Sequence, residues 1–362
     1  RLWNTADGAL NRILTGHTGL VRGLAFSPDD QLLASAGEDR SVRIWDVAAG
    51  TNPVTLSGFE SRMLDVAFSP DGSTLATAGN DTLVRLWDPR TGIEQRRLVG
   101  HTESVRSVTF SPDGRVLASS SLDDTIRLWD VTNGTTLHTM SGHNSDIWWI
   151  AYHPAGDVLA SGGRDNTIRL WNTSSGAQLH VLDEHQGWVL GVTFSPDGRT
   201  AFTGSGGSAS LNLDENLIIH WNLETGREIR RWVGADREIR SLAVSPDGTQ
   251  LAVGGVNSLI LWDVAAAEEI QRFPVGSGDG GPTPVPRSGR PRHCADSPVS
   301  WLPSSTAWTC CSTRSQAVLS NSSSLSASQF VCRPNSSIHR NNMTSCCSKR
   351  QSFPSRSECP QT

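Results

Sequence analysis

The sequence predicts an all-β protein, a β-propeller of four-stranded antiparallel blades, because three markers recur in register along it. The first is a Trp followed by Asp or Asn, and successive copies are 42 residues apart up to residue 171, then 50 and 41 apart. These tryptophans are Trp3, Trp45, Trp87, Trp129, Trp171, Trp221 and Trp262. A turn of the type Ser-Pro-Asp-Gly and a Gly-His pair recur in the same phase. Together the markers indicate repeated copies of one structural unit.

The third unit shows how each element is predicted. Its first segment alternates apolar and polar residues with a period of two, as a half-buried strand does. Ser111–Gly114 then fits a type I turn, and Asn133-Gly134 favours a hairpin. The four strands predicted in this unit are Val105–Phe110, Val116–Ser120, Thr125–Trp129 and Thr136–Met140. Four antiparallel strands in 42 residues make one propeller blade.

Six complete units run from about Leu20 to Phe273, and a partial unit precedes them. Residues 1–4 and 10–14 have the patterns of a third and a fourth strand, without a first and a second. Two arrangements are open: six blades close with this strand pair displaced, or a seven-blade ring keeps a gap with exposed strand edges. The predicted propeller domain spans residues 1–274, with six complete blades and a partial N-terminal one.

These markers resemble those of the WD-repeat family of β-propellers, in which Gly-His opens a unit and Trp-Asp closes its third strand. The resemblance covers roughly residues 1–273. It implies a non-enzymatic scaffold that binds protein partners, and no cofactor is predicted. The alternative is the C-terminal regulatory or sensory propeller of a larger signalling ATPase or protein kinase, whose catalytic domain would precede Arg1. Because the first residue is not Met, we expect the chain to be a fragment of something longer.

Ser, His and Asp accompany the Trp at constant spacing in units 1, 3 and 4. A catalytic triad uses these residue types, but a catalytic set would occur once, whereas this one recurs. A buried Trp N–H needs an acceptor, so the residues favour a hydrogen-bond network that ties the strands together, and it matches the structural tetrad of the family. The predicted network residues are His17, Ser35, Asp39, Trp45, His101, Ser119, Asp123, Trp129, His143, Ser161, Asp165 and Trp171. No catalytic residue is predicted.

The other units have incomplete networks. The residues at these positions are Phe59, Thr77 and Asp81 in unit 2, His185, Thr203 and either Asp214 or Glu215 in unit 5, and Ala235 and Val253 in unit 6. Units 1, 3 and 4 are therefore expected to be the stiffest blades. Unit 6 is expected to depend on packing alone.

Partner binding in this family is commonly carried by the face that the loops before strand one and between strands two and three form. The candidate partner-binding residues on that face are Trp148, Trp188, Arg22, Arg62, Arg106, Leu122, Arg164 and Arg240. Trp and Arg are enriched among the residues that dominate interface energetics. Eight extra residues within 204–213 mark the same face beside Trp188. The alternative is that these side chains only line a central channel.

Composition limits the classes of partner. Residues 1–274 contain 22 Arg, no Lys and 33 acidic residues, a net charge of −11, which argues against nucleic acid as a partner of the propeller. No run of about 18 apolar residues occurs, so no membrane-spanning helix is predicted. The same 274 residues contain no Cys, so no metal site is predicted and a cytoplasmic location is expected.

Residues 275–362 have a different composition. They carry nine basic and three acidic residues, 21 Ser and all seven Cys of the chain. Low hydrophobicity predicts a disordered tail. A disulfide framework is disfavoured by the odd number of Cys, and a zinc site by the adjacent pairs Cys310-Cys311 and Cys346-Cys347. The abrupt change of composition after Pro274 also fits out-of-frame translation.

Overall fold

The computed structural model describes residues 1–4, 7–206, 216–235, 238–256, 258–274 and 316–318. The strands of the partial unit and of blades 1 and 2 are β1 (Leu2–Asn4), β2 (Leu10–Arg12), β3 (Val21–Phe26), β4 (Leu32–Gly37), β5 (Val42–Asp46), β6 (Val54–Leu56), β7 (Met63–Phe68), β8 (Leu75–Gly79), β9 (Val84–Trp87) and β10 (Glu94–Leu98). Blades 3 and 4 contain β11 (Val105–Phe110), β12 (Val116–Ser121), β13 (Thr125–Asp130), β14 (Thr136–Ser141), β15 (Ile147–Tyr152), β16 (Val158–Gly163), β17 (Ile168–Asn172) and β18 (Gln178–Leu182). Blades 5 and 6 contain β19 (Trp188–Phe194), β20 (Thr200–Gly206), β21 (Leu217–Asn222), β22 (Arg227–Val233), β23 (Ile239–Val244), β24 (Gln250–Gly255), β25 (Ser258–Asp263) and β26 (Glu268–Pro274), and β27 (Gln316–Val318) follows.

Each of the six blades is a four-stranded antiparallel sheet whose strands are neighbours in the order of the chain. The described residues form strands, turns and loops but no helix. Among them, accordingly, no helix is long and apolar enough to cross a membrane. The predicted all-β fold with six complete blades is confirmed.

Blade 3 shows why the recurring turn sequence forms a turn. The Gly114 N–H donates to the Ser111 carbonyl (2.9 Å), which closes the turn between β11 and β12. The Ser111 hydroxyl donates to Asp113 (2.6 Å) and accepts from the Val116 N–H (3.0 Å). Gly114 has φ +73°, a left-handed conformation that Gly adopts without steric cost. The turn residues therefore fix the register of β11 on β12.

The Asp of the Trp-Asp pair shapes the hairpin that follows it. The Asp130 carboxylate accepts from the N–H groups of Thr132 (2.8 Å) and Asn133 (3.0 Å), and the Gly134 N–H donates to the Asp130 carbonyl (2.8 Å). The hairpin predicted at Asn133-Gly134 therefore forms, with a wider turn than two residues. A short acidic or amide side chain recurs after each Trp because it stabilises this turn locally.

Hydrophobic clusters between neighbouring blades hold the ring together, and the N-terminal strand pair has its own place in it. Leu2 packs with Leu24 and Trp45 of blade 1, whereas Trp3 packs with Leu259 and Phe273 of blade 6. The rings of Trp3 and Phe273 are 6.0 Å apart. The pair β1–β2 thus lies between blades 6 and 1, as the partial blade of a seven-blade arrangement.

The remaining edge of β1 pairs antiparallel with β27, which lies within the tail of residues 275–362. The disorder predicted for residues 275–362 stays a prediction; within that range the described residues Gln316–Val318 add a strand to β1. Residues 275–315 and 319–362 lie outside the described residues.

The imidazole of His220, on the third strand of blade 5, makes the free energy of unfolding depend on pH. His220 stands where other blades have Ile or Leu, its ring stacks on Phe202 (4.2 Å, 16°), and neither ring nitrogen has a hydrogen-bond partner among the described residues. Burial and, secondarily, the charge of Arg230 lower the pKa of His220 to about 4. The unfolded chain therefore binds this proton near pH 6.5 and the folded chain only near pH 4, so stability is lost as the pH falls through that window.

We expect His220→Leu to reduce the loss of stability between pH 7 and pH 5 by roughly 1 kcal/mol, a value discounted for partial exposure. Urea unfolding of wild type and variant at both pH values measures it. The same substitution at the exposed His180 is the control. An unchanged pH dependence in His220→Leu would show that this imidazole is not held neutral by the fold.

Candidate partner-binding site

The twelve predicted network residues meet in the structure as three chains of hydrogen bonds. In blade 3 the Trp129 N–H donates to Ser119 (2.8 Å), the Ser119 hydroxyl lies 2.8 Å from Nε2 of His101, and Nδ1 of His101 lies 2.9 Å from Asp123. The matching distances in blade 1, for Trp45, Ser35, His17 and Asp39 in order, are 2.8, 2.7 and 2.9 Å. For Trp171, Ser161, His143 and Asp165 in blade 4 they are 2.8, 2.7 and 3.0 Å.

Burial and the positions of the protons indicate that the Ser, His and Asp of these networks serve a structural role. Ser119 is fully buried, so its hydroxyl has no access to a substrate. That hydroxyl donates to Nε2 of His101, which leaves Nδ1–H to donate to Asp123. Burial alone would raise the pKa of Asp123, but hydrogen bonds from His101, Thr125 and the Thr102 N–H outweigh it and hold this pKa well below its usual range. The ionised Asp therefore accepts from donors that surround it, and each group in the chain has a partner.

In blade 2 the Asp of the network is paired with a different donor. Phe59 occupies the His position, and its ring packs edge-on against Trp87 at 5.5 Å. The buried Arg85 donates to Asp81 (2.7 Å) and lies 5.3 Å from the Phe59 ring centre. Thr77 accepts from the Trp87 N–H (2.9 Å). An Arg two residues before the Trp thus supplies the donor that the missing His would have supplied.

Blades 5 and 6 have shorter networks. Thr203 accepts from the Trp221 N–H (2.8 Å) and lies 2.7 Å from Nε2 of His185, whose Nδ1 has no hydrogen-bond partner among the described residues. The predicted acid at Asp214 or Glu215 lies outside those residues. In blade 6 the buried N–H of Trp262 has no partner there either, since Val253 offers no hydroxyl.

A funnel of about 530 Å³ opens at one end of the ring, and residues from all six complete blades line it. We call this end the upper face; it is the end where the second strand of each blade connects to the third. The residues that line the funnel are Arg22, Glu38, Arg62, Leu64, Asn80, Ser104, Arg106, Leu122, Trp148, Trp149, Trp188, Leu190, Glu238 and Arg240. Seven of the eight candidate partner-binding residues line it, and Arg164 lies directly beside it, over Trp188.

A β-bulge in each innermost strand aims one side chain into the funnel. Pairing between first and second strands shifts by one residue at the same place in every blade, for example between Ile147 and Trp149. The residues skipped by these shifts are Arg22, Leu64, Arg106, Trp148, Leu190 and Arg240, and each lines the funnel. A bulge redirects a side chain away from simple alternation. The backbone therefore presents one variable residue per blade at the same height.

Two Trp and two Arg form a ladder on one wall of the funnel. The rings of Trp148 and Trp188 stack at 6.4 Å with an angle of 17°. The Arg106 guanidinium lies 4.2 Å from the centre of Trp148, and that of Arg164 lies 4.5 Å from the centre of Trp188. Cation–π contacts of this kind hold both indoles in fixed orientations. The wall thus presents two neighbouring indoles, each with a guanidinium over its ring.

The repeats match a known protein-family model. The model described as WD domain, G-beta repeat, matches residues 8–46, 50–88, 92–130, 134–172, 176–211 and 226–263. This chain belongs to the WD40 family. No curated protein matches it. WD40 propellers generally act as protein-interaction scaffolds and are typically non-catalytic.

The WD40 repeats are out of step with the blades. The first repeat, 8–46, begins before β2 of the partial blade and ends with β5 of blade 1. Five of the six matched repeats therefore contribute the outer strand of one blade and three strands of the next, whereas the fifth, 176–211, ends before β21. This offset joins neighbouring blades covalently, and it leaves β1 before the first repeat and β26 after the last.

Trp149 lines the funnel but is not among the residues predicted from the sequence. It lines both the funnel and a second cavity of about 410 Å³ further down the channel, so its indole lies between the two. The residues at the matching position of the other blades are Gly23, Asp65, Ser107, Gly191 and Ser241. One bulky residue among small ones was a visible signal in the aligned units.

Only part of the predicted insertion beside Trp188 lies among the residues that the structure describes. Residues 204–206 end strand β20, and 207–213 lie outside the described residues. Among the described residues, no group of three or more His, Cys, Asp or Glu could hold a metal ion.

Proposed function

We propose that this WD40 propeller is a non-enzymatic, cytoplasmic scaffold that binds a protein partner in the funnel of its upper face, chiefly through blades 4 and 5. The observation that carries the proposal is the ladder of Trp148 and Trp188 between Arg106 and Arg164. Partly exposed indoles that are already held in place lose little conformational entropy when a partner packs on them.

Two further features support this face. The funnel combines apolar and aromatic side chains with Arg, the residue types that are enriched in interfaces. Loops of the upper face are also tied to the scaffold, since the Leu122 N–H donates to the Ser104 carbonyl (3.0 Å) and the Arg164 N–H to the Asp146 carbonyl (2.9 Å). The binding surface is thus preorganised by the blades beneath it.

We expect Trp188→Ala to weaken partner binding about tenfold, because a packed indole is a common anchor of interface energy. The full chain serves as bait in an extract of its source cells, and quantitative mass spectrometry compares the proteins bound to wild type and variant. Titration of each isolated partner then measures the change in Kd.

Trp232→Ala is the matched control. Trp232 lies on β22, the outer strand of blade 5, and it also has an Arg 5.8 Å from its ring centre, but it does not line the funnel. Equal loss of binding in both variants would mean that damage to blade 5, not the funnel, is responsible. Full binding by folded Trp188→Ala would overturn the proposal.

A further inference from the structure

We propose that the funnel selects an anionic, extended peptide segment that places an apolar side chain beside its acidic group; this rests on the proposed function and names the chemistry of the partner. The first step is the charge balance. Four Arg and two Glu line the funnel, an excess of two positive charges, although residues 1–274 together carry −11. Positive charge is therefore concentrated where the propeller is concave, and a concave site focuses its field on an incoming ligand.

The ion pairs within the funnel leave two of these cations available. Arg22 is held by Glu38 (2.7 Å), and Arg240 is held by Glu238 (2.7 Å). Arg62 has 60 % of its side chain exposed, and its ion pair among the described residues is with Glu38 at 3.5 Å, a carboxylate that Arg22 already uses.

Arg106 is the second available cation. It makes no ion pair with a described residue, and its Nε is buried without a hydrogen-bond partner there. Burial lowers the pKa of Arg106, with Asp146 opposing the effect, but the guanidinium stays charged at neutral pH. A carboxylate or phosphate is the best partner for a guanidinium that has no ion pair, because charge-assisted hydrogen bonds are the stronger kind.

The walls set the shape of the ligand. Leu64, Leu122 and Leu190 lie opposite or beside the Trp148–Trp188 stack, so the funnel offers apolar surface next to its free cations. Trp149 lines both the funnel and the cavity below it, so its indole lies where the two meet. An extended segment lying across the mouth meets both the indoles and the two Arg.

Selection from a random peptide library displayed on phage, with the full chain as bait, tests this. We expect the enriched peptides to carry Asp or Glu beside an apolar residue. The variant Arg62→Gln with Arg106→Gln should lose this enrichment, whereas Arg90→Gln with Arg115→Gln, which removes the same charge from exposed turns at the opposite face, should keep it.

Synthetic versions of a selected peptide distinguish the sources of negative charge. Replacing its acidic residue by Gln should weaken binding about tenfold, and phosphoserine at that position should restore it. Neutral or basic enriched peptides, or equal binding of the Glu and Gln versions, would overturn the charge preference while leaving funnel binding intact. Enrichment that survives Trp188→Ala unchanged would overturn the proposed function as well.

Discussion

Asp123→Asn is expected to lower the free energy of unfolding by about 3 kcal/mol, because it leaves a buried donor without an acceptor. One carboxylate oxygen of Asp123 accepts from the N–H and hydroxyl of Thr125 (3.1 and 2.6 Å), and the other accepts from Nδ1 of His101 (2.9 Å) and the Thr102 N–H (3.0 Å). Whichever way an amide is turned, its NH₂ faces donors. Urea unfolding followed by Trp fluorescence measures the loss.

The neighbouring position provides a matched control for this substitution. Asp124→Asn makes the same chemical change one residue later, at φ +61°, where blade 4 has Asn166 at φ +64°. We expect a change below about 0.5 kcal/mol there, as for most surface substitutions. Equal and small effects of both substitutions would show that the blade 3 network contributes nothing measurable to stability.

Thr203→Val is the second substitution with a large expected effect, and it should lower the free energy of unfolding by about 3 kcal/mol. Val has nearly the same shape as Thr, so the substitution replaces the hydroxyl by a methyl group and changes little else. That hydroxyl accepts from the Trp221 N–H and is hydrogen-bonded to Nε2 of His185, and both partners are buried, so two groups lose their partner at once. Chemical unfolding at pH 7, where His185 is neutral, measures the change.

The same exchange of Thr and Val at two other blades gives a graded series. Thr77→Val in blade 2 removes a single bond, to Trp87, and should cost about 1 kcal/mol. Val253→Thr in blade 6 gives the unpartnered N–H of Trp262 an acceptor and should stabilise by about 1 kcal/mol. A series in which all three substitutions destabilise equally would contradict hydrogen bonding as the cause.

The fold could be predicted from the sequence because its information is local and repeated. Turn residues and Trp-Asp pairs recur in register, so one aligned unit predicts the strands of six, and the bounds of β11 match the predicted segment. The Ser, His and Asp positions follow for the same reason. The sequence around the N-terminal strand pair does not indicate which strands are its neighbours. The packing of Leu2 and Trp3 is what places β1 in the ring.

The funnel could be predicted only in part. Alignment of the units identified Arg22, Arg106, Trp148 and Arg240 on the inner strands. Strict alternation, however, puts Trp148 and Trp149 on opposite faces of one strand. The bulge between Ile147 and Trp149 changes this, so that both side chains line the funnel. The ion pair of Arg85 with Asp81 was also missed, although an Arg two residues before the Trp recurs in units 1 to 4. Such a pair depends on what replaces the His, which composition alone does not reveal.

Partner docking on the upper face can be tested most directly by photo-cross-linking from two positions in the full chain. A photoreactive amino acid at Leu122 lies in the funnel, and one at Arg115 lies in an exposed turn at the opposite end of blade 3. If the partner binds in the funnel, the probe at 122 cross-links to it and the probe at 115 does not. Cross-linking from 115 alone would contradict binding at the upper face.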